Sequence, residues 1–486
     1  LLPMYISLYN RINLLKERID KMIDDFIKEN KKEMIENLQN LIQIPSVYTK
    51  SKNPLMPFGE NANRALEYML ALGKQLGFKT KNVDGYCGYI EFGEGHEIVG
   101  IIGHLDVVPS GDNWTYPPFS GTVFDNKIYG RGAIDDKGPV IASLYAMKYV
   151  LDNCKINKRV RLILGLNEEN DWKCIDYYKS HEEMPTIGFS PDADFPCIYA
   201  EKSILTSYFS MNYISSAPIS IKEIDCNQNA INVVPKICTT ILKIDSSIFM
   251  EDLIKNTKSI LSKYEFEIDI YKLNDEELKL TSHGIGAHAA HPDLGINAIS
   301  QLIIVLDELF KSYHIKIALF DFFKSYINLE YNGKSLGIHS KDESGILTLN
   351  VGNFILENQT LKIGCNLRIP IHTSIEEVEN RILTCLVNYE DITYKKVNSK
   401  PALYVPKDNY LVKTLCDIYN EEANSYSEPI AIGGATYARA FNNCISFGAN
   451  LPGQKDMCHQ TDEFISIDNL LFACKVYAKA IYELGK

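Results

Sequence analysis

No uncharged apolar run in the chain approaches the roughly 18 residues of a membrane-spanning helix, so no helical span is expected. The opening LLPMYISLYNRINLLKERIDKM has neither the cationic start nor the apolar core of a secretory signal. It reads instead as a helical extension, or as residues upstream of a start near Met22. No CxxC pair occurs among the twelve cysteines scattered from Cys87 to Cys474. Without an export signal, that pattern predicts reduced, mostly buried thiols and a cytoplasmic location. HExxH is missing, since HEEMP at His181 lacks the second histidine, and this argues against a zincin. No P-loop is present. Positive charge is also in deficit. Fifty Lys and Arg face 62 Asp and Glu, a formal net charge of −12. Nucleic acid and anionic membranes both demand cationic contact, so neither is expected as a partner.

What is present is an ordinary globular composition, 45% hydrophobic and 23% charged, over 486 residues. That length exceeds a single core and predicts two domains, or three. Helical patterning covers 31–41, 62–76 and 140–151, and β-rich runs occupy 97–103 (EIVGIIG) and 159–166 (RVRLILGL). Strands alternating with helices mark an α/β domain. After about Glu201 short strand-like runs such as KICTTILKI and GILTLNVGNFI mix with helices such as INAISQLIIVLDELF. The first style returns near Lys400, with helices over 410–421 and 467–483. The expected fold is therefore an α/β domain, with a mixed sheet flanked by helices, interrupted by an inserted α+β domain. The expected boundaries are an N-terminal extension at 1–21, the first part of the α/β domain at 22–200, the insert at 201–399, and the second part at 400–486.

Polar residues fall at the ends of the predicted strands. GHLDVVP places His104 and Asp106 after one, NEEN places Glu168 and Glu169 after another, and SPDAD places Asp192 after the short run IGF. Ligands of α/β sheets bind beyond the carboxyl ends of strands, so these clusters converge if the sheet is parallel there. YGRGAIDDKGP adds Asp135 and Asp136 in a glycine-rich loop before a helix, and CHQTDE adds His459. Each has an ordinary explanation when taken singly. His104 reads as a core histidine, the Asp135–Asp136 pair as a helix cap, the two glutamates and Asp192 as turn residues, and His459 as a surface histidine. Their joint occurrence points elsewhere. Two histidines with three carboxylates form a nitrogen and oxygen donor set suited to zinc, with manganese or cobalt as substitutes. Asp106 is spaced to hold the histidine tautomer. Paired ions need a bridging carboxylate, and one further carboxylate must stay off the metal to take a proton.

These motifs resemble the carnosinase, carboxypeptidase-G and aminoacylase superfamily of dinuclear zinc peptidases, and within it the PepV-like (Xaa-His) dipeptidase branch. The resemblance runs from about Ile42 to the C-terminus. It implies that His104 and Asp192 bind one metal and Glu169 and His459 the other. Asp135 would bridge them, Glu168 would act as general base, and a cis peptide would follow the bridging aspartate. Within the insert, which the resemblance makes a lid, INVVP supplies Asn232, the AHxxxP context selects His288 beside His283 and His291, and GCNLRIP supplies Arg368. The histidine is implied to steady the oxyanion, and the asparagine and arginine to grip substrate. GGATYAR, with Gly433 and Gly434, resembles the glycine-rich wall of the substrate pocket.

Two positions depart from the family pattern: Asp171 replaces a glycine after the glutamates, and Ala290 replaces a serine. The implied activity is hydrolysis of dipeptides or very short peptides with a free C-terminal carboxylate, using two Zn2+. The long insert favours a monomer over a homodimer. Competing readings are an N-acyl amino acid deacylase or carboxypeptidase using the same metal site, and a non-catalytic binding protein on the same fold.

Overall fold

In a computed structural model describing residues 2–214, 217–226 and 230–486, with side chains from Asp20 onward, the run at 97–103 becomes the strand Ile98–His104. Every residue of that strand is buried. It lies between two parallel neighbours, Arg159–Gly165 and Ile187–Ser190, and a continuous apolar run is what an interior parallel strand requires. The chain divides into two compact units, one of Leu1–Tyr199, Val405–Ile430 and Ala435–Lys486, the other of Ala200–Tyr404 with Ala431–Gly434.

In the first unit the sheet runs Lys79–Val83, Cys87–Phe92, Arg159–Gly165, Ile98–His104, Ile187–Ser190, Cys444–Ser446, Ile198–Glu201. The first two strands form an antiparallel hairpin whose second strand runs antiparallel to Arg159–Gly165, the centre is parallel, and Ile198–Glu201 is antiparallel to Cys444–Ser446. Helices Lys137–Asn153 and Ile467–Gly485 pack on each other and on the two central strands. The first of these is buried on nearly all sides, from Lys137 through Met147, so its sequence shows little amphipathic contrast. Truncating a core leucine such as the fully buried Leu162 to alanine would cost about 2–5 kcal/mol. The N-terminal helix is longer than the 31–41 pattern suggests, running Leu2–Ile42. Its C-terminal end is held by the wholly buried Lys137, whose Nζ donates to the carbonyls of Leu41 (3.1 Å) and Ile44 (2.8 Å). Burial pushes that ammonium down to about 7.

The second unit carries two four-stranded antiparallel sheets. One is ordered Thr348–Glu357, Thr360–Ile369, Ser203–Asn212, Thr393–Lys400, and the other Ile219–Asp225, Ile237–Ile244, Glu277–His283, Glu267–Lys272. Alternating burial along Ser203–Asn212 shows one face on the core and one on solvent. Helix Ala298–Ser312 fills the core with Leu302, Leu306, Leu309 and Phe310, joined by Phe320, Phe322 and Phe323. Asn297 caps it, accepting from the Ser300 amide at 3.0 Å. The segment Ala431–Gly434 belongs to this unit because the Lys202 amide donates to the Ile432 carbonyl (3.0 Å) and Arg368 to the Gly433 carbonyl (2.9 Å).

The α/β fold class expected from the sequence is what the structure has, a mixed sheet with flanking helices and an inserted α+β part. All twelve cysteines are free, nine of them buried. Among the described residues, no helix is long and apolar enough to cross a membrane.

Candidate functional site

The parallel strands Ile98–His104 and Arg159–Gly165 end level with each other, His104 opposite Gly165. His104 is thus the last residue of its strand, and Glu168 and Glu169 follow the neighbouring one. Asp192 follows Ile187–Ser190 in the same way. Asp135 precedes helix Lys137–Asn153 through a cis Asp135–Asp136 peptide, as the family resemblance implies. His459 comes from the loop before the strand Phe464–Ser466.

Five of these side chains, all but Glu168, meet. Asp135 Oδ1 lies 3.0 Å from His104 Nε2, and Asp135 Oδ2 lies 3.0 Å from His459 Nε2. Asp192 Oδ2 is 3.6 Å from the first imidazole, and Glu169 Oε1 is 2.9 Å from the second. One carboxylate therefore stands between two histidine–carboxylate pairs.

Asp106 acts mainly on the backbone. Its two carboxylate oxygens accept from the Glu168 and Glu169 amides, each at 3.1 Å, which fixes the turn bearing both glutamates. The histidine orientation expected of its side chain comes chiefly from its carbonyl, 2.9 Å from His104 Nδ1, with the carboxylate at 3.6 Å. A carbonyl only accepts, so Nδ1 carries a hydrogen, and in the neutral ring Nε2 presents a lone pair. Nε2 is buried and faces the Asp135 and Asp192 oxygens, at 3.0 and 3.6 Å. Acceptors facing one another in a buried site need a proton or a metal cation among them.

The electrostatics agree. Burial, then the charge of Asp135, pushes Asp192 up to about 7 and also raises Glu169. Burial and Asp192 raise Asp136. Burial would raise Asp135 too, but hydrogen bonds from His104 and His459 outweigh it and hold Asp135 low. Burial would lower both histidines, yet their carboxylate neighbours win and raise them. The donor set fits divalent cations that take nitrogen and oxygen ligands.

Two contributors were not assigned roles from the sequence. Asp136 is fully buried and accepts from the His104 amide at 3.1 Å. Tyr437 stacks edge-on to His104 and Trp172, at 6.2 and 5.2 Å, and its hydroxyl meets Cys174 Sγ at 2.8 Å. The doubled aspartate was a signal for the first. Nothing local marked the second. Asp171 pairs with Lys173 on the exposed side of the loop, while Trp172 Nε1 donates to the Glu168 carbonyl at 2.7 Å.

The other expected residues lie in the second unit. Val233 and His288 form an antiparallel bridge, and the Ala289 amide donates to the Asn232 carbonyl at 2.9 Å, so Asn232 and His288 occupy adjoining segments. His288 is exposed, with Nδ1 accepting from the Ala290 amide at 3.3 Å. His283 ends a strand and pairs with Asp269 at 2.9 Å. Arg368 is buried, its Nε on Asn366 Oδ1 and its Nη1 on the Gly433 carbonyl, both 2.9 Å. A Cβ on Gly433 would meet Ala290 Cβ at 2.8 Å, so glycine is needed there. Gly434 has more room, with Ile432 Cδ1 at 3.2 Å.

Residues 100–483 match the model of peptidase family M20/M25/M40. The chain belongs to this family. It is a peptidase. A Bacillus subtilis protein named "Putative dipeptidase YtjP" is 38% identical over 469 residues, covering 94% of this chain and 98% of that one. A Staphylococcus epidermidis relative, named in the same terms, is 34% identical over 467 residues with the same coverage. Human carnosine dipeptidase 1 shares the fold of this M20 peptidase, with a TM-score of 0.55 at 14% identity, covering 96% and 99% of the two chains. The yeast di-peptidase Dug1p does so with a TM-score of 0.56 at 12% identity, covering 96% and 98%.

Proposed function

We propose that this M20 peptidase is a dinuclear dipeptidase, cleaving dipeptides or very short peptides with a free C-terminal carboxylate. The observation that carries the reading is Asp135, whose two oxygens each stand 3.0 Å from a different imidazole. His104 and Asp192 would hold one ion and Glu169 and His459 the other, with Asp135 shared between them. Zinc suits the set, with manganese or cobalt as substitutes. When bound, such ions polarise a peptide carbonyl and make water acidic near neutral pH.

The chain's own residues supply the rest. Glu168 takes the proton from the attacking water and returns it to the leaving amine. Asp106 keeps that glutamate's backbone in place by accepting from its amide and from the next one, of Glu169. His288 donates to the developing oxyanion. Asn232 and Arg368 bind substrate, the guanidinium answering the terminal carboxylate, while Gly433 and Gly434 allow close backbone approach. The close sequence relatives named as dipeptidases support this substrate class.

The test is a set of free-amine dipeptides run against N-acetyl amino acids and C-terminally amidated peptides, after loading with zinc, manganese or cobalt. Turnover confined to free dipeptides is expected. Preferential cleavage of acetylated substrates would make the protein a deacylase, and efficient cleavage of amides would remove the role given to Arg368.

A further inference from the structure

His459 sits on a stretch with no helix and little strand, and its backbone is left-handed at φ 63°. That conformation is uncommon for a side chain of this size and persists where surrounding contacts impose it. The contacts come from Arg131. This guanidinium is 2% exposed and lies 5.3 Å from the Trp114 ring. Its Nη2 donates to the carbonyls of His459 (3.3 Å), Ser110 (3.2 Å) and Pro109 (3.4 Å), and its Nη1 to that of Gln460 (3.2 Å). Nη1 also meets Glu463 Oε2 at 2.7 Å. Glu463 is fully buried, and its other oxygen accepts from the amides of Ile134 (3.0 Å) and Asp135 (3.3 Å). A continuous chain of charge-assisted hydrogen bonds thus joins the Asp135 amide to the His459 carbonyl, across more than 320 positions of sequence.

We propose that Arg131 and Glu463 are positioning residues that hold the Asp135 and His459 loops in register, and so set the affinity for an ion on the His459–Glu169 side. The proposal rests on the dinuclear reading above. Apart from the shared Asp135, neither residue contacts the His104–Asp192 side in this network, and that side is set mainly by other contacts, through Asp106 and Asp136. A lysine at 131 would keep the charge but not the planar fork that reaches several carbonyls at once.

The experiment counts ions per chain by elemental analysis and measures each affinity by competition with a chelating dye. The proteins compared are wild type, Arg131→Lys, Glu463→Gln and His459→Ala, with circular dichroism and melting temperature followed in parallel. We expect two ions in the wild type. His459→Ala should lose one of them. Glu463→Gln and Arg131→Lys should weaken that same ion by about tenfold or more, the scale seen when residues supporting metal ligands are removed, and the other ion, which shares only Asp135 with the network, by clearly less. Arg131→Lys should be the milder of the two. Unchanged affinities in both folded variants would overturn the proposal and leave the dinuclear reading standing. Equal weakening of both ions in step with melting temperature would also overturn it, by making the pair a general stability element. Fewer than two ions in the wild type would end the dinuclear reading itself, before any variant is considered.

Discussion

Two clusters of charge, one in each unit, show opposite balances. In the second unit Glu308 accepts from Lys263 and Lys324, both at 2.9 Å, and from the Tyr264 hydroxyl, while Asp307 and Asp321 each meet Lys311 at 2.9 Å. Three acids there find three ammonium groups. In the first unit Asp106, Asp135, Asp136, Glu169 and Asp192 gather around His104 and His459. Five carboxylates there have two imidazoles. The balanced cluster is complete as folded and serves stability. The unbalanced one is stable in its ionised form only with added positive charge, and that need marks it as the metal-binding candidate.

The sharpest way to break the contrast is Asp135→Ala, which removes the carboxylate shared by both imidazoles. Binding of both ions and all peptidase turnover should be lost, as read by elemental analysis and a dipeptide assay. A variant that kept two ions would disprove the shared role. Next in size is Glu168→Gln, expected to cut turnover by about a hundredfold to ten-thousandfold with metal content unchanged, since Glu169 is the ligand. Wild-type turnover in that variant would require another base.

A chelator should then separate the two clusters by stability. Stripping ions present at about 100 times their dissociation constant removes roughly 2.7 kcal/mol per site, visible as a fall in melting temperature that added metal restores. No fall would mean that the acidic cluster needs no cation. The smallest effect belongs to the balanced cluster. Burial would raise Glu308, but the hydrogen bonds from Tyr264, Lys263 and Lys324 hold it down at about 2, against an ordinary 4.5. A depressed carboxylate contributes stability above its unfolded value, and that contribution is lost as pH falls from about 4.5 towards 2. Glu308→Gln should flatten this part of the acid-unfolding curve, and a slope equal to wild type would show that the group titrates normally.

Much of the site could be read from the sequence because its residues sit at the ends of apolar runs. His104 ends, and Glu168, Glu169 and Asp192 follow, strands whose continuous hydrophobicity declares them. What was hidden depends on contacts distant in sequence. Asp106 was read as an orienter of His104, yet its carboxylate mainly grips two amides some sixty residues away. Tyr437 reaches the site only because the sheet folds Gly165 beneath its ring. Arg131 and Glu463 stood inside motifs noticed for their neighbours, and their partnership spans 332 positions. Element ends shifted for local reasons. Helix Lys137–Asn153 begins three residues before its apolar pattern because a buried lysine, glycine and proline open it.

The position of Cys444–Ser446 in the sheet has a consequence for synthesis. This short strand pairs with Ile187–Ser190 on one side and bridges to Ile198 on the other, so the sheet of the first unit stays open until Ser446 has left the ribosome. The second unit is almost contiguous, Ala200–Tyr404, and needs only Ala431–Gly434 to finish. It can gather its own core earlier, while the first unit waits with a gap in its middle. His459 emerges later still, after the gap can close. The nascent chain therefore acquires its last proposed metal donor only when the framework that must hold it is ready, and a partly made chain carries no complete hydrolytic centre.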